Sequence, residues 1–171
     1  LTCKLAAKEF GIKQEHVLVA STGVIGKQLS MEKIKAGIKG CKQELGKIHH
    51  ADTAILTTDT IKKEMAIDFG DFIIAGIAKG SGMIHPNMAT MLCFITTDAD
   101  FSSKELKKFL VSSTEKSFNM ISVDMDTSTS DTVLLLSTNK KKNISKEKFQ
   151  KALDYFCLEM AKKVAADGEG A

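Results

Sequence analysis

The feature that most constrains the fold is a long apolar stripe near the C-terminal end of the chain. Large apolar side chains recur there every three or four residues, which is the spacing of one face of an α-helix. The stripe consists of Phe149, Leu153, Phe156, Met160 and Val164. It predicts a helix over about 146–166. We interpret the stripe as part of a hydrophobic core and not as a cofactor-binding surface.

Shorter apolar runs and helical patterns alternate along the rest of the chain. Strands are predicted at 17–20, 63–68, 72–78, 91–96 and 133–136. Helices are predicted at 4–10, from Ser30 onward, and after Ser102, which forms a capping box with Glu105. The pattern predicts a mixed α/β (α+β) fold, and the 171 residues suit a single domain.

Composition excludes several classes of function. The net charge of +3 comes from lysine without any arginine, which argues against a nucleic-acid surface. The four cysteines are far apart, so neither a zinc site nor a disulfide framework is predicted, and a reducing cytoplasm is expected. They are Cys3, Cys41, Cys93 and Cys157. No apolar run approaches the roughly 20 residues of a membrane span, so no membrane partner is expected.

Two common motifs, one for nucleotide binding and one for serine catalysis, are each matched only in part, because a required glycine is absent. Gly26 and the following lysine resemble a phosphate-binding loop, but Ser21 stands where that motif needs a glycine. Ser81 lies between two glycines like a nucleophile elbow, but Lys79 occupies the place of the first glycine of that motif. Nucleotide binding and serine hydrolysis are therefore both disfavoured.

Alternating oxygen-bearing residues also resemble a calcium-binding loop. The candidates are Asp124, Asp126, Ser128 and Ser130. Thr129 replaces the glycine that such a loop requires, and Leu135 replaces its closing glutamate. The preferred interpretation is a turn rich in hydrogen bonds from backbone to side chain, and no metal site is predicted.

Small and polar residues gather next to the predicted strands. They occupy residues 21–26, 57–60, 79–90 and 124–132. Such residues suit a site where backbone amides approach a ligand closely. His16 and His85 are not linked by spacing to any serine, so a catalytic triad is hard to assemble. A threonine that supplied its own base would avoid this difficulty. If Thr90 became an N-terminus, its α-amino group, with a reference pKa of about 7.7–8.0, could take the hydroxyl proton.

Residues 78–92, which read Ala-Lys-Gly-Ser-Gly-Met-Ile-His-Pro-Asn-Met-Ala-Thr-Met-Leu, resemble the self-cleavage region of the ornithine acetyltransferase family, also called glutamate N-acetyltransferases. Further motifs of the family are resembled, in the same order, by residues 21–26, 57–60, 122–124, 126–129 and 167–171. The resemblance implies that the chain is cut between Ala89 and Thr90. Residues 1–89 would then end an α chain, and residues 90–171 would begin a β chain.

The resemblance also implies roles for individual residues. Thr90 would be the nucleophile that takes acetyl from N-acetylornithine and passes it to glutamate in arginine biosynthesis. Thr22 and Gly23 would form the oxyanion hole. Substrate contacts are implied for Thr57, Lys79, Thr90 and Glu169. Of these, Lys79 suits a substrate carboxylate and Glu169 suits the ornithine ammonium group.

At the level of the whole protein, the resemblance implies an αββα-type sandwich and a dimer of α/β heterodimers. No metal and no bound cofactor are expected, although acetyl-CoA is a second acetyl donor to consider. We expect the chain to be the central fragment of a longer protein. Two alternatives stay open: a related self-cleaving amidohydrolase or aminopeptidase, and an inactive fragment.

Overall fold

A computed structural model of the chain describes residues 1–46, 50–84 and 91–168. The chain divides into two compact units, Leu1–His49 and His50–Ala171.

The first unit is helical. Its α-helices are α1 (Thr2–Phe10) and α2 (Met31–Cys41), and single turns of 3-10 helix cover Gln14–His16 and Lys42–Glu44. Helix α1 ends at Gly11, whose φ of 69° is a left-handed conformation that glycine adopts without strain. The helices predicted at 4–10 and from Ser30 are therefore confirmed.

The strand predicted at 17–20 is wrong, because these residues have no regular secondary structure. Leu18 and Val19 are 61% and 49% exposed. No strand of the described sheet pairs with this segment. An apolar run becomes a strand only when a neighbouring strand satisfies its backbone hydrogen bonds.

The second unit is built on one four-stranded sheet in the order β1-β2-β3-β4. The strands are β1 (Lys63–Asp68), β2 (Ile73–Lys79), β3 (Leu92–Ala99) and β4 (Thr132–Lys141). Strands β1, β2 and β3 pair antiparallel, whereas β4 runs parallel to β3. All four strands of this unit were predicted from the sequence, and the mixed α/β fold is confirmed.

In the described part of the second unit the helices are α3 (Ala51–Ala54), α4 (Ser103–Glu115) and α5 (Lys146–Ala166), with a single turn of 3-10 helix at Phe118–Met120. Both bonds of the capping box between Ser102 and Glu105 open α4, as predicted. Helices α4 and α5 pack on each other and on the sheet. The five apolar residues of the α5 stripe are completely buried in the core, which confirms the long predicted helix.

Gly76 in the middle of β2 lets α5 lie close to the sheet. A Cβ atom added there would lie 2.7 Å from the carbonyl oxygen of Phe94 and 3.2 Å from the ring of Phe156.

The opposite face of the sheet is also apolar but only half buried, with Ala75 and Ile77 among its residues. One helical layer on a sheet with a second apolar face is consistent with an α/β sandwich. None of the described helices is long and apolar enough to cross a lipid bilayer.

Candidate active site

The start of β1, the end of β2 and the starts of β3 and β4 lie side by side, at one end of the strands. Lys63 at the start of β1 pairs with Ala78 near the end of β2, and Lys79 pairs with Leu92 at the start of β3. Leu92 in turn pairs with Thr132 at the start of β4. We call this end of the sheet, with its adjoining loops (residues 57–63, 79–84, 91–92 and 122–132), the polar edge.

The polar edge brings together three of the four polar stretches predicted from the sequence, namely 57–60, 124–132 and the described part of 79–90. The fourth, 21–26, is a loop of the first unit that contains the predicted oxyanion-hole residues Thr22 and Gly23. The predicted cleavage site, Ala89 and Thr90, and the predicted substrate contact Glu169 lie outside the described residues. Their roles stay predictions.

A buried ionic cluster of one lysine and two aspartates lies under the polar edge. The Lys63 side chain is fully buried, and its Nζ lies 2.7 Å from Oδ1 of Asp59 and 2.5 Å from Oδ2 of Asp167. Both carboxylates are also almost completely buried. Buried charges of this kind persist only when they are paired and hydrogen-bonded, so we expect the three groups to hold one fixed arrangement. We refer to them as the Lys63 cluster.

The Lys63 cluster ties separate segments together. Asp59 accepts hydrogen bonds from the backbone N–H of Gly80, at 2.6 Å, and of Thr57, at 3.2 Å. The carboxylate of Asp167, at the end of α5, accepts from the backbone N–H of Thr60, at 3.0 Å, and from its hydroxyl. The loop before β1, the end of β2 and the end of α5 are thus joined through two carboxylates.

The hydrogen bonds of the Lys63 cluster set the protonation of its acids. Burial opposes the ionisation of Asp167, but hydrogen bonds from Lys63 and Thr60 outweigh it and lower the pKa of Asp167 to about 2. For Asp59, burial is likewise outweighed by bonds from the Gly80 N–H and from Lys63, so its pKa is lowered. Both aspartates are ionised at neutral pH.

Acid is expected to weaken the polar edge through Asp167. Its pKa is about 2 in the fold and near 3.8 in an unfolded chain, so the unfolded state binds the proton more readily. The resulting stabilisation is complete above about pH 5 and is lost as the pH falls from about 4 towards 2. Thermal midpoints of the full-length protein across this range should fall less steeply for Asp167→Asn than for the wild type. Equal slopes would contradict this assignment.

Ser81 illustrates how a motif-like serine serves structure instead of catalysis. It is 3% exposed, and its hydroxyl donates to the backbone carbonyl of Asp167 at 2.7 Å. This hydrogen bond links the segment just after β2 to the end of α5. This agrees with the rejection of a nucleophile elbow from the sequence.

Lys79 and Thr57, two of the predicted substrate contacts, lie next to each other. The Nζ of Lys79 is 3.4 Å from the Thr57 hydroxyl, and the lysine is only 1% exposed. Burial lowers the pKa of Lys79, while the charges of Asp59 and Asp131 oppose that shift. A buried ammonium group at this position suits an anionic group such as a carboxylate.

Asp131 is a charged residue of the polar edge that the sequence did not single out. Its Oδ1 accepts from the backbone N–H of Met91 at 2.8 Å. Its Oδ2 is buried and accepts no hydrogen bond within the described part of the chain. Burial raises the pKa of Asp131 to about 6, although the Met91 bond and the charge of Lys79 act in the opposite direction.

Asp124 confirms the turn predicted in place of a calcium loop. Its carboxylate accepts backbone hydrogen bonds from Met83, from Ile84 at 2.8 Å and from Asp126 at 3.1 Å. Residues 1–46, 50–84 and 91–168 contain no group of three or more His, Cys, Asp or Glu side chains arranged to hold a metal ion.

The segments of the polar edge were predicted from the sequence, but the Lys63 cluster was not. Asp59 and Asp167 both lie in stretches that resemble family motifs, and this was the available signal for them. Lys63 had no such signal, because a lysine at the start of a strand is ordinarily exposed.

Comparison with known proteins decides the family. The family model described as "ArgJ family" matches residues 1–171. This chain belongs to the ArgJ family. The family resemblance inferred from the sequence motifs is thereby confirmed.

Individual ArgJ relatives show the same similarity. "Arginine biosynthesis bifunctional protein ArgJ" of Geobacillus stearothermophilus is 50% identical, over 98% of this chain and 44% of the relative. The protein of that name from Lactococcus lactis subsp. lactis is 49% identical, over 99% of this chain and 46% of the relative. "Arginine biosynthesis bifunctional protein ArgJ 2" of Clostridium acetobutylicum is 48% identical, over 95% of this chain and 42% of the relative. The chain thus spans less than half the length of these ArgJ proteins.

Proposed function

We propose that this chain is the central part of an acyltransferase that cleaves itself between Ala89 and Thr90. The freed Thr90 then moves acetyl from N-acetylornithine to glutamate, which yields ornithine and N-acetylglutamate. The observation that carries the proposal is the polar edge itself. There the buried Lys79 lies beside Thr57 and pairs with Leu92, the first residue of β3. Met91 immediately precedes Leu92 and is joined by a peptide bond to Thr90.

The neighbourhood of Met91 supports this assignment. Met91 is 3% exposed, and its backbone is held by Asp131 and by the N–H of Thr132. Thr90 is joined to Met91 by a peptide bond, and consecutive Cα atoms are about 3.8 Å apart. A nucleophile at Thr90 is therefore tethered one residue from a firmly held position in the polar edge.

Self-cleavage in this proposal begins when the Thr90 hydroxyl adds to the carbonyl carbon of Ala89. The bond from that carbon to the Thr90 nitrogen breaks, the nitrogen takes the hydroxyl proton, and an ester remains. One water then hydrolyses the ester, which gives Ala89 a carboxylate and restores the Thr90 hydroxyl. The products are an α chain that ends at Ala89 and a β chain that begins with a free α-amino group.

Acetyl transfer follows a ping-pong course. The α-amino group of Thr90, with a reference pKa of about 7.7–8.0, takes the hydroxyl proton as the oxygen attacks the acetyl carbon of N-acetylornithine. Ornithine leaves with that proton, and an acetyl ester of Thr90 remains. The α-amino group of glutamate then attacks the ester, which forms N-acetylglutamate and restores the hydroxyl.

The remaining roles follow the family motifs residue by residue. The Thr22 hydroxyl and the Gly23 N–H form the oxyanion hole, where one lost donor typically costs about 2.7–4 kcal/mol of barrier. Lys79 binds the substrate carboxylate, Glu169 binds the side-chain ammonium of ornithine, and Thr57 makes a further contact with the substrate. We further propose that no metal or bound cofactor is required, and that the α and β chains assemble as a dimer of heterodimers.

The test is an acetyl-transfer assay on the full-length protein. N-acetylornithine and glutamate together should give ornithine and N-acetylglutamate in equal amounts, and omission of glutamate should stop turnover after one acetyl group per site. Release of acetate to water without glutamate would instead favour an amidohydrolase. Because the relatives are named bifunctional, a parallel reaction with acetyl-CoA as the only donor tests the second acetyl source.

A further inference from the structure

One loop, residues 123–132, holds the chain on both sides of residues 85–90. On the N-terminal side, the Asp124 carboxylate accepts the backbone N–H groups of Met83 and Ile84, the latter at 2.8 Å. These are the last described residues before 85–90. The carboxylate therefore fixes two consecutive amides just before that segment.

The same loop holds the first residue after the segment. Oδ1 of Asp131 accepts from the Met91 N–H at 2.8 Å, and the N–H of Thr132 donates to the Met91 carbonyl at 3.0 Å. A backbone bond reinforces the other anchor as well, because the N–H of Val123 donates to the Ile84 carbonyl at 2.7 Å. Each side is thus held by one aspartate side chain and by backbone amides of residues 123–132.

The fold does not need a negative charge at position 131. Its Oδ2 is buried and accepts no hydrogen bond from the described residues, so its charge is only partly compensated by Lys79. An asparagine would keep the bond to Met91 without burying that charge. A buried charge that weakens the fold, held on the residue that follows a candidate nucleophile in the chain, is a common sign of a functional requirement.

We propose that Asp124 and Asp131 are positioning residues for Thr90 that fix the two ends of the segment containing the Ala89–Thr90 bond. This inference rests on the proposed function. Both aspartates belong to the β chain, whereas Met83 and Ile84 belong to the α chain. Asp124 therefore serves the cleavage step and afterwards joins the two chains, and Asp131 continues to hold the residue that follows the new N-terminus.

The physical reason lies in the length of the segment. Only six residues, 85 to 90, separate the two anchors. Attack within the chain needs the hydroxyl and the carbonyl carbon in one narrow geometry, and fixed ends reduce the number of competing conformations. Release of one end is expected to slow the attack without removing any reacting atom.

The experiment compares three variants of the full-length protein: Asp124→Ala, Asp131→Asn and the control Asp68→Ala. Asp68 is exposed at the end of β1 away from the polar edge, and its carboxylate also accepts a backbone N–H, that of Gly70 at 2.7 Å. Intact mass over time measures splitting. The kcat and KM for acetyl transfer and the thermal midpoint are then measured on the split fraction.

We expect Asp124→Ala to slow splitting on the order of tenfold to a hundredfold. Asp131→Asn should lower the kcat for transfer on the order of tenfold or more, by more than it raises KM, while its thermal midpoint stays at or above that of the wild type. If Asp131→Asn also blocks splitting, co-expression of the α chain with a β chain that begins at Thr90 isolates the transfer step. Asp68→Ala should split and transfer acetyl like the wild type.

A wild type that splits and transfers, together with Asp124→Ala and Asp131→Asn variants that behave like Asp68→Ala, would overturn the inference. Losses that merely follow a lowered thermal midpoint would also overturn it, because they would show a structural role only. A wild type that neither splits nor transfers would overturn the proposed function itself, and the two failures are therefore distinguishable.

Discussion

Replacing Thr90 by alanine is expected to leave the full-length precursor as one uncut chain and to abolish acetyl transfer. In the proposed mechanism the same hydroxyl oxygen attacks Ala89 in the precursor and the acetyl group in the mature enzyme, so its removal stops both reactions. Thr90→Ser keeps a hydroxyl and should retain part of each activity. Intact mass measures the first effect, and ornithine release measures the second.

Thr138→Ala is the matched control, because Thr138 is an exposed threonine of β4 away from the start of that strand. It should split and transfer like the wild type. A Thr90→Ala protein that still produces N-acetylglutamate would refute Thr90 as the nucleophile. A wild-type chain that stays whole would refute self-cleavage.

Replacing Lys63 by methionine is expected to lower the free energy of unfolding by about 3–5 kcal/mol. The substitution leaves the buried carboxylates of Asp59 and Asp167 facing each other without their shared ammonium group. Because Asp59 also holds the backbone of Thr57 and Gly80, the variant should raise the KM for N-acetylornithine in whatever fraction still folds. Denaturant unfolding and steady-state kinetics measure the two effects.

The control for Lys63 is Lys151→Met. Lys151 pairs with Glu147 on the surface of α5, where the two side chains are 75% and 78% exposed. An exposed pair of this kind contributes little to stability, so this variant should unfold nearly like the wild type. If Lys63→Met were equally mild, the Lys63 cluster would not organise the polar edge.

The regular elements with strong local signals were predictable from the sequence. Helix α5 follows from its apolar stripe, and the start of α4 follows from the capping box between Ser102 and Glu105. Strand β4 was predicted only as far as 136 but continues to Lys141. Its last residues are polar. Ser137 pairs with Thr97 and Lys141 with Ala99 across an irregularity in the register, so the strand continues without any apolar pattern in the side chains.

The ionic core of the site could not have been predicted in the same way. Lys63 and Asp167 are 104 positions apart in the sequence, and only the tertiary fold brings the two charges into contact. Asp131 and Asp126 belong to one polar stretch and have the same side chain. Only the structure shows that Asp131 holds the backbone of Met91, whereas Asp126 is exposed.

The most direct test of the central claim is the mass of the N-terminal peptide of the β chain. The full-length protein is mixed with N-acetylornithine in the absence of glutamate, quenched in acid and digested. Self-cleavage followed by acetyl transfer predicts a peptide that begins at Thr90 and carries one acetyl group. The acetyl group should be absent when glutamate is added before the quench. A peptide that begins at Thr90 but never carries acetyl, or the absence of any peptide with that N-terminus, would contradict this prediction.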